Sequence, residues 1–203
     1  SILIKANITE VSKEDFIDKT FYEAVFCRLN TMDYNERIDG SFSDKYDFYN
    51  NPEKYQSSFM NYTKHADIFI AGHFYGVGSP YLFTKEDAKS DDFNVQVVAD
   101  ISCDIDGPIA STIRSSTVEN PIYGYNPETE SEDDFKKKDV IAVMAVDNLP
   151  SELPRDASEE FGDSVISEIL PYLIEKDDGR INRATTASNG NFCSKFDYLN
   201  DFI

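Results

Sequence analysis

The sequence predicts an α/β fold in which a parallel β-sheet is flanked by helices, and three apolar runs carry that prediction. The runs are Ala66–Ala71 (ADIFIA), Val95–Ile101 (VQVVADI) and Val140–Val146 (VIAVMAV). None alternates strictly between apolar and polar residues, which is typical of strands buried on both faces of a parallel sheet. Helix-forming stretches lie between or after the runs, and each run ends in a polar or glycine-rich turn. Because ligands of such sheets bind outside the carboxyl ends of the strands, a binding site is expected where these turns meet.

The elements before the first run are short. Residues 1–8 are typical of the end of an apolar helix without a cap in front of it, so we expect the sequence to begin inside a longer protein. Ser12 opens a capping-box-like pattern that predicts a helix to about Lys19. A strand is predicted over Ala24–Arg28. A loop at Asn50-Asn51-Pro52 is predicted to precede a helix that begins near Glu53.

The last third of the chain predicts a loop and then a helix. Asn126–Lys138 is predicted to be a loop, because acidic residues give way there to three lysines. After Pro150, an apolar residue recurs at every fourth position, which predicts a helix with a stripe formed by Phe161, Val165, Ile169 and Leu173. Pro154 suits the first turn of this helix, and Pro171 is expected to kink or end it. The stripe needs a surface to pack against.

Charge and residue usage exclude several classes of function. With 19 basic and 38 acidic residues the chain has a formal charge of −19, which opposes binding to nucleic acid or to an anionic membrane. No apolar run approaches the roughly 18–20 residues of a membrane helix, and we expect residues 1–5 not to be a secretory signal. Three separated cysteines and two histidines indicate neither a disulfide framework nor a zinc site, and they favour a cytoplasmic location.

Two patterns near the strand ends resemble ligand sites only superficially. Gly76-Val77-Gly78 lacks the third glycine of a nucleotide-binding loop and is followed by Pro80, so a simple turn is favoured. Asp100, Asp104 and Asp106 do not match a calcium loop, because Ser102 and Ile113 would occupy its first and last positions. We expect Asp104 and Asp147 to bond to a ligand or to backbone instead.

Two reactive side chains have competing interpretations. His73 follows a predicted buried strand, where it is either a general acid or base or, as we favour, a loop histidine bonded to backbone. Cys103 lies between Ser102 and Asp104. Because this acidic environment disfavours a thiolate, a small packed residue is favoured over a nucleophile.

Four segments between about Asp47 and Phe202 carry a resemblance to a known family. In chain order they are NPEKYQSSF (51–59), AGHFYGVGSPYLFT (71–84), VADISCDIDGPIASTIRSSTVENPIYGYNP (98–127) and VDNLPSELPRDASEEFG (146–162). Together they resemble the saccharopine dehydrogenase and lysine–ketoglutarate reductase family, which is related to the alanine dehydrogenases. Members have an N-terminal domain with the catalytic lysine and histidine, and a Rossmann domain that binds NAD or NADP.

The resemblance implies roles for nine residues. The cofactor-binding positions are Phe74, Ile101, Val146, Asp147, Asn148 and Leu149. The substrate-side turn is Ser102, Cys103 and Asp104, where members usually have alanine in place of the cysteine. No catalytic residue and no metal ligand is expected in this chain.

The same resemblance implies the organisation of the chain. Residues 1–150 would form an incomplete, Rossmann-like dinucleotide-binding domain that lacks its first glycine-rich turn. Residues 151–203 would form a helical segment that rejoins a missing N-terminal catalytic domain. The expected fold is therefore a partial Rossmann-like parallel sheet with flanking helices and a C-terminal returning helix.

The function implied for the intact protein is oxidation or reduction of the CH–NH bond of saccharopine or a similar adduct of an amino acid and a 2-oxo acid, in lysine metabolism. An alanine-dehydrogenase-like enzyme with a simpler substrate is a second enzyme hypothesis. A non-catalytic half-domain that pairs with another chain is the alternative of a different class. Expected partners are a small amino-acid substrate, and either a second copy of the chain or the missing N-terminal half. The sequence does not distinguish NAD from NADP.

Overall fold

The computed structural model describes residues 2–76 and 78–202 and divides the chain into two compact units, Ser1–Leu149 and Pro150–Ile203. Ser1 of the predicted N-terminal helix end and Val77 of the predicted glycine turn lie outside the described residues. Both flanking glycines of that turn are described, and the amide of Ser79 donates to the carbonyl of Gly76 at 3.0 Å. The function of each unit stays a prediction.

Among its described residues, the first unit contains four short α-helices and nine strands. In chain order they are α1 (Ile2–Lys5), β1 (Thr9–Glu10), α2 (Lys13–Asp18), β2 (Val25–Phe26), β3 (Asn35–Arg37), α3 (Lys45–Asn50), β4 (Tyr55–Ser57), α4 (Met60–Thr63), β5 (Ile68–Ala71), β6 (Val97–Asp100), β7 (Ile122–Asn126), β8 (Ser131–Asp133) and β9 (Ile141–Met144). The predicted N-cap is confirmed, because the hydroxyl of Ser12 accepts a hydrogen bond from the amide of Asp15 and α2 follows.

A five-stranded sheet in the order β5-β6-β9-β7-β8 organises this unit. The three apolar runs form β5, β6 and β9, which pair in parallel as predicted. The sheet is mixed rather than purely parallel, because β7 pairs antiparallel with both β9 and β8. The carboxyl ends of the three parallel strands consequently lie side by side at one edge of the sheet.

Two predicted elements are wrong, and tertiary pairing explains both. The segment from Glu53 forms a single 3-10 turn, Pro52–Lys54, and then β4, because Tyr55–Ser57 pairs with β3 and buries Tyr55. The predicted loop Asn126–Lys138 contains β8, because the side-chain oxygen of Asn126 accepts from the amide of Glu128 and helps turn the chain back into a hairpin. From Lys64 to Asn148, Val77 aside, the described chain contains no α-helix.

The two faces of the sheet differ in their exposure. On one face, Val98, Val143, Tyr123 and Tyr125 are buried in the main apolar core. Side chains alternate along a strand, so the neighbouring residues point to the other face. The residues exposed there are Ile68, Ile70, Val97 and Ile122. The prediction that the strands are buried on both faces is therefore wrong for β5 and β6, whose second face is exposed. This uncovered apolar face is unusual for a sheet with parallel strands, which are normally covered on both sides.

Tyr123 ties the core to the segment beside the strand ends. Its buried hydroxyl donates to the carbonyl of Ser111 at 2.9 Å and accepts from the amide of Ile113 at 3.2 Å. The guanidinium of Arg114 lies 4.3 Å from the ring centroid. Burial is the main cause that raises the pKa of Tyr123 to about 12.

We expect the stability that Tyr123 contributes to be lost at alkaline pH. An ordinary tyrosine has a pKa of about 10, so above that pH the unfolded chain releases this proton while the folded chain retains it. Stability is therefore complete below about pH 10 and falls, by about 2–3 kcal/mol, as pH rises to about 12. Chemical unfolding at several pH values should show that the advantage of wild type over Tyr123→Phe shrinks across this window. Tyr22→Phe, at an exposed position, is the control. An advantage that is constant with pH would contradict the prediction.

The second unit is mainly helical. It contains α5 (Pro154–Glu168), α6 (Leu170–Ile174), α7 (Arg180–Ala184), β10 (Ala187–Ser188) and β11 (Asn191–Phe192). Pro154 lies in the first turn of α5 as predicted, and Pro171 lies in the first turn of α6, so the long apolar pattern is broken into two helices. None of the helices in the described part of the chain is long and apolar enough to cross a bilayer.

Candidate functional site

The carboxyl ends of β5, β6 and β9 are joined by direct hydrogen bonds. The amide of Ile101, just after β6, donates to the carbonyl of Ala71 at the end of β5, at 2.9 Å. The thiol of Cys103 donates to the carbonyl of Ala145, just after β9, at 3.1 Å. The three predicted turns therefore belong to one local structure.

The turn after β6 is built around Asp100, the last residue of that strand. One oxygen of its carboxylate, Oδ1, accepts from the amide and the hydroxyl of Ser102 and from the amide of Cys103. Cys103 has φ 51°, in the left-handed region that is unfavourable for a residue with a side chain. The turn closes at Gly107, where a Cβ atom would lie only 2.7 Å from both the Cβ and the carbonyl oxygen of Asp104.

A fourth segment, Thr112–Ser116, lies beside the end of β9 and forms part of the site. The hydroxyl of Ser116 accepts from the amide of Ala145 at 3.0 Å, and the amide of Ser116 donates to the carbonyl of Ala145 at 2.8 Å. Ser116 is buried and forms a parallel bridge with Val146. Thr112, in the same segment, donates from its hydroxyl to Asp100 Oδ2 at 2.6 Å. The segment thus fixes the turns after both β6 and β9.

The site is electronegative around Cys103. Burial raises the pKa of the Cys103 thiol, and the negative charges of Asp100, Asp147 and Asp104 raise it further. Cys103 is therefore a neutral thiol at neutral pH. Because nucleophilic attack requires the thiolate, Cys103 is not a nucleophile in this state. Its hydrogen bond and its packing against the core confirm the interpretation of Cys103 as a small packed residue.

His73, in the turn after β5, is half-buried. Its Nε2 is buried without a hydrogen-bond partner among the described residues, so this atom does not make the backbone bond that was favoured for His73. Burial lowers the pKa of His73, and this outweighs the opposite effect of the nearby carboxylates of Asp100 and Asp104. The imidazole is therefore neutral at neutral pH, with one polar atom left for a ligand or a water molecule.

The six residues expected to face a cofactor fall into two groups. Phe74, which is 94% exposed, and Ile101, which is half exposed, present apolar side chains at the ends of β5 and β6. After β9, Val146 is buried, whereas Asp147 and Asn148 are exposed and Leu149 is partly exposed. Asp104 and Asp147 are the two residues whose carboxylates were expected to bond to a ligand or to backbone. Neither carboxylate accepts a hydrogen bond from the described residues.

These residues fit one end of a nicotinamide dinucleotide. Exposed apolar side chains beside buried polar groups suit the nicotinamide ring. The pyrophosphate normally rests on a glycine turn at a helix N-terminus, and the described residues between Lys64 and Asn148 contain no α-helix. Among the described residues, the turns after β5, β6 and β9 thus offer contacts for a nicotinamide ring and lack the usual contacts for a pyrophosphate. In the part of the chain that the structure describes, no group of three His, Cys, Asp or Glu residues is arranged to hold a metal ion.

The sequence did not indicate the residues that shape the site, namely Asp100, Thr112 and Ser116. The sequence pattern placed Asp100 only in a carboxylate cluster that does not match a calcium loop. An aspartate at a strand end with serine two positions later is a pattern for a local side-chain-to-backbone turn, which was the available signal. Thr112 and Ser116 had none, because their partners are distant in sequence.

Comparisons with known proteins give relatives that cover most of the chain. No protein-family model matches it. An α-aminoadipic semialdehyde synthase of Arabidopsis thaliana is 27% identical over 198 residues, which cover 93% of this chain and 19% of the relative. The mitochondrial α-aminoadipic semialdehyde synthase of Mus musculus is 26% identical over 219 residues, which cover 95% of this chain and 23% of the relative.

A shorter relative is the saccharopine dehydrogenase [NAD(+), L-lysine-forming] of Schizosaccharomyces pombe. It is 27% identical over 150 residues, which cover 71% of this chain and 38% of that protein. The chain spans about a fifth of the length of the two synthases. Over most of its length, the chain is thus a distant homologue, at about 27% identity, of α-aminoadipic semialdehyde synthases and saccharopine dehydrogenases.

Proposed function

We propose that this chain is the part of an NAD(P)-dependent oxidoreductase that orients the nicotinamide ring against the C–N bond of saccharopine or a similar amino-acid adduct. The observation that carries the proposal is the hydrogen bond between Cys103 and Ala145, which joins the turns after two parallel strands into one site. Distant homology to saccharopine dehydrogenases supports the substrate class. Bound cofactor would exchange a hydride with the carbon of that bond.

The charges of the site favour an amine-containing substrate. Three carboxylates, those of Asp100, Asp104 and Asp147, act on Cys103. Asp104 and Asp147 form no ion pair in the described part of the chain. A protonated secondary amine is attracted to a position beside these carboxylates, whereas the carboxylates of the same adduct are repelled and must point away from them. The electrostatics thus agree with an adduct that carries an amine nitrogen.

The proposed division of labour leaves proton transfer to residues outside this chain. His73 is the only histidine at the strand ends, and its buried Nε2 has no carboxylate partner to orient it. The residues present hold and orient ligands. Ser102 and Asp104 would contact the substrate, while Ile101 and Asp147 would lie beside the nicotinamide ring.

The proposal predicts weak binding and no turnover for the 203-residue chain. In titrations followed by NMR, we expect NAD⁺ or NADP⁺ and saccharopine to shift the signals of residues 71–74, 101–104 and 146–148. The dissociation constants should be weaker than about 1 µM, a free energy of roughly −8 kcal/mol, because nothing described here holds the pyrophosphate. Asp104→Asn should weaken saccharopine binding further, because it removes one negative charge from the substrate side of the site. Asp91→Asn, which removes a charge from an exposed residue that precedes the amino end of β6, is the matched control.

Three results would contradict this proposal. Turnover of NAD(P)H with saccharopine by the pure chain would mean that acid and base are present after all. Micromolar or tighter nucleotide binding would mean that a pyrophosphate site exists. An absence of any ligand-induced shift at the strand ends would favour the non-catalytic half-domain that pairs with another chain.

A further inference from the structure

Asp100 is the most deeply buried charged side chain of the candidate site. It is 1% exposed, and four hydrogen bonds converge on its carboxylate. Ser102 supplies two of them to Oδ1, through its amide at 3.1 Å and its hydroxyl at 2.6 Å. The Cys103 amide supplies the third at 3.0 Å, and the Thr112 hydroxyl supplies the fourth, to Oδ2, at 2.6 Å.

These donors stabilise a carboxylate that has no cation beside it. None of the lysines and arginines within residues 2–76 and 78–202 lies within ion-pair distance of Asp100. A buried charge is costly unless hydrogen bonds replace the water that it loses. Two backbone amides and two hydroxyls perform that role here, so the carboxylate and the turn each depend on the other.

The turn held by Asp100 contains the residues expected to meet the substrate. Cys103 adopts φ 51°, a conformation that is unfavourable for a residue with a side chain and persists only where its surroundings impose it. The amide of Cys103 donates to the carboxylate of Asp100, and its thiol donates to the carbonyl of Ala145 after β9. Thr112 anchors the other carboxylate oxygen. Asp100 therefore connects the turns after β6 and β9 with the Thr112–Ser116 segment.

We propose that Asp100 is the positioning residue of this site, which holds the Ser102–Asp104 turn in the shape that receives the substrate. The inference rests on the proposed function for the identity of that substrate. Asp100 does not touch the ligand, since its oxygens are buried and already accept four hydrogen bonds. It acts through the backbone of Ser102 and Cys103.

The test uses Thr112→Val in the full chain. Asp100→Ala deletes four hydrogen bonds at once and endangers the sheet, whereas Thr112→Val removes one hydroxyl and leaves Oδ2 unpaired. Thr63→Val is the matched control, because Thr63 is also fully buried in the first unit, with its hydroxyl bonded to the carbonyls of Met60 and Asp92. Thr112→Ser, which retains the hydroxyl, is the rescue variant.

The first readout is amide hydrogen exchange at Ser102 and Cys103. We expect Thr112→Val to accelerate exchange at these amides about tenfold or more, because the unpaired carboxylate no longer holds its orientation. Thr63→Val should leave both amides unchanged even if it lowers global stability equally. Thr112→Ser should restore the wild-type rates. Equal rates in wild type and Thr112→Val would overturn the assignment of Asp100.

The second readout separates this inference from the proposed function. Saccharopine binding, followed by NMR, should weaken about tenfold in Thr112→Val and recover in Thr112→Ser, with Thr63→Val equal to wild type. Undiminished binding by Thr112→Val would overturn the positioning role. If wild type binds no saccharopine, the proposed function fails alone, and the exchange rates still decide whether Asp100 holds the turn.

Discussion

We expect the chain to self-associate in solution, and the substitution pair Phe161→Asp with Leu173→Asp to convert it largely to monomer. The predicted stripe lies on α5 and α6 with its side chains turned to solvent: Phe161 is 72% exposed and Leu173 is 59% exposed. Val165 is partly exposed and Ile169 is exposed between them. Burying such a surface against another apolar surface lowers the free energy.

Whether the chain associates depends on how the free energy of apolar burial compares with the charge repulsion between two copies. Complete burial of a Val, Leu, Ile or Phe side chain contributes about 1.5–3 kcal/mol relative to exposure. The formal charge of −19 opposes association, but salt screens charge repulsion beyond about 8 Å at physiological ionic strength and leaves apolar contact intact. At moderate salt the four stripe residues together should therefore outweigh the repulsion.

Light scattering at moderate salt measures the effect. The control Ser167→Asp with Asn182→Asp adds the same two charges at exposed polar positions, so it should remain associated. Because the substituted apolar residues are already exposed, neither pair should unfold the second unit. A strictly monomeric wild-type chain would contradict the prediction, and so would an oligomer that is indifferent to Phe161→Asp with Leu173→Asp.

Gly124→Ala should destabilise the first unit by about 3 kcal/mol. Gly124 lies in the middle of β7, between β8 and β9. A Cβ atom there would lie 2.4 Å from the carbonyl oxygen of Asp133 and 2.6 Å from both the amide nitrogen of Phe135 and Cγ1 of Val140. Two of these atoms are backbone and cannot retreat without breaking the β7–β8 ladder.

Gly162→Ala is the control, and its expected effect has the opposite sign. Gly162 lies inside α5, where an added Cβ meets no atom within 4 Å. Alanine there should stabilise the helix by about 0.5–1 kcal/mol. Hydrogen exchange of β7 and β9, compared with that of α5, assigns each change to its unit. Protection of β7 and β9 that is unaltered by Gly124→Ala would show that the close contacts are relieved cheaply.

The sequence predicted the three parallel strands because their residues are apolar on both faces, although one face of the sheet is exposed. The runs at 66–71, 95–101 and 140–146 are apolar regardless of their partners, and they became β5, β6 and β9. β4 and β8 have no such apolar run. Ser131–Asp133 is wholly polar and is a strand only because β7 lies beside it, and Tyr55–Ser57 is a strand only because β3 does.

The sequence predicted where the candidate site lies, but not the hydrogen bonds that shape it. Because ligands bind at the carboxyl ends of parallel strands, the sequence predicted a site where the three turns meet. The hydrogen bonds that shape those turns join residues separated by long stretches of chain, such as Thr112 with Asp100 and Cys103 with Ala145. Pairings of this kind have no local signature in one sequence.

The last strand of the sheet to be synthesised, β9, lies in the middle of the finished sheet, between β6 and β7. Before the ribosome has delivered Ile141–Met144, the β5–β6 pair and the β7–β8 pair share no strand that could join them. Each pair then presents an open inner edge of unpaired amides and carbonyls, able to accept a strand from another chain. Both edges disappear in one step when β9 enters, so this nascent chain is most exposed to mispairing just before that strand leaves the ribosome.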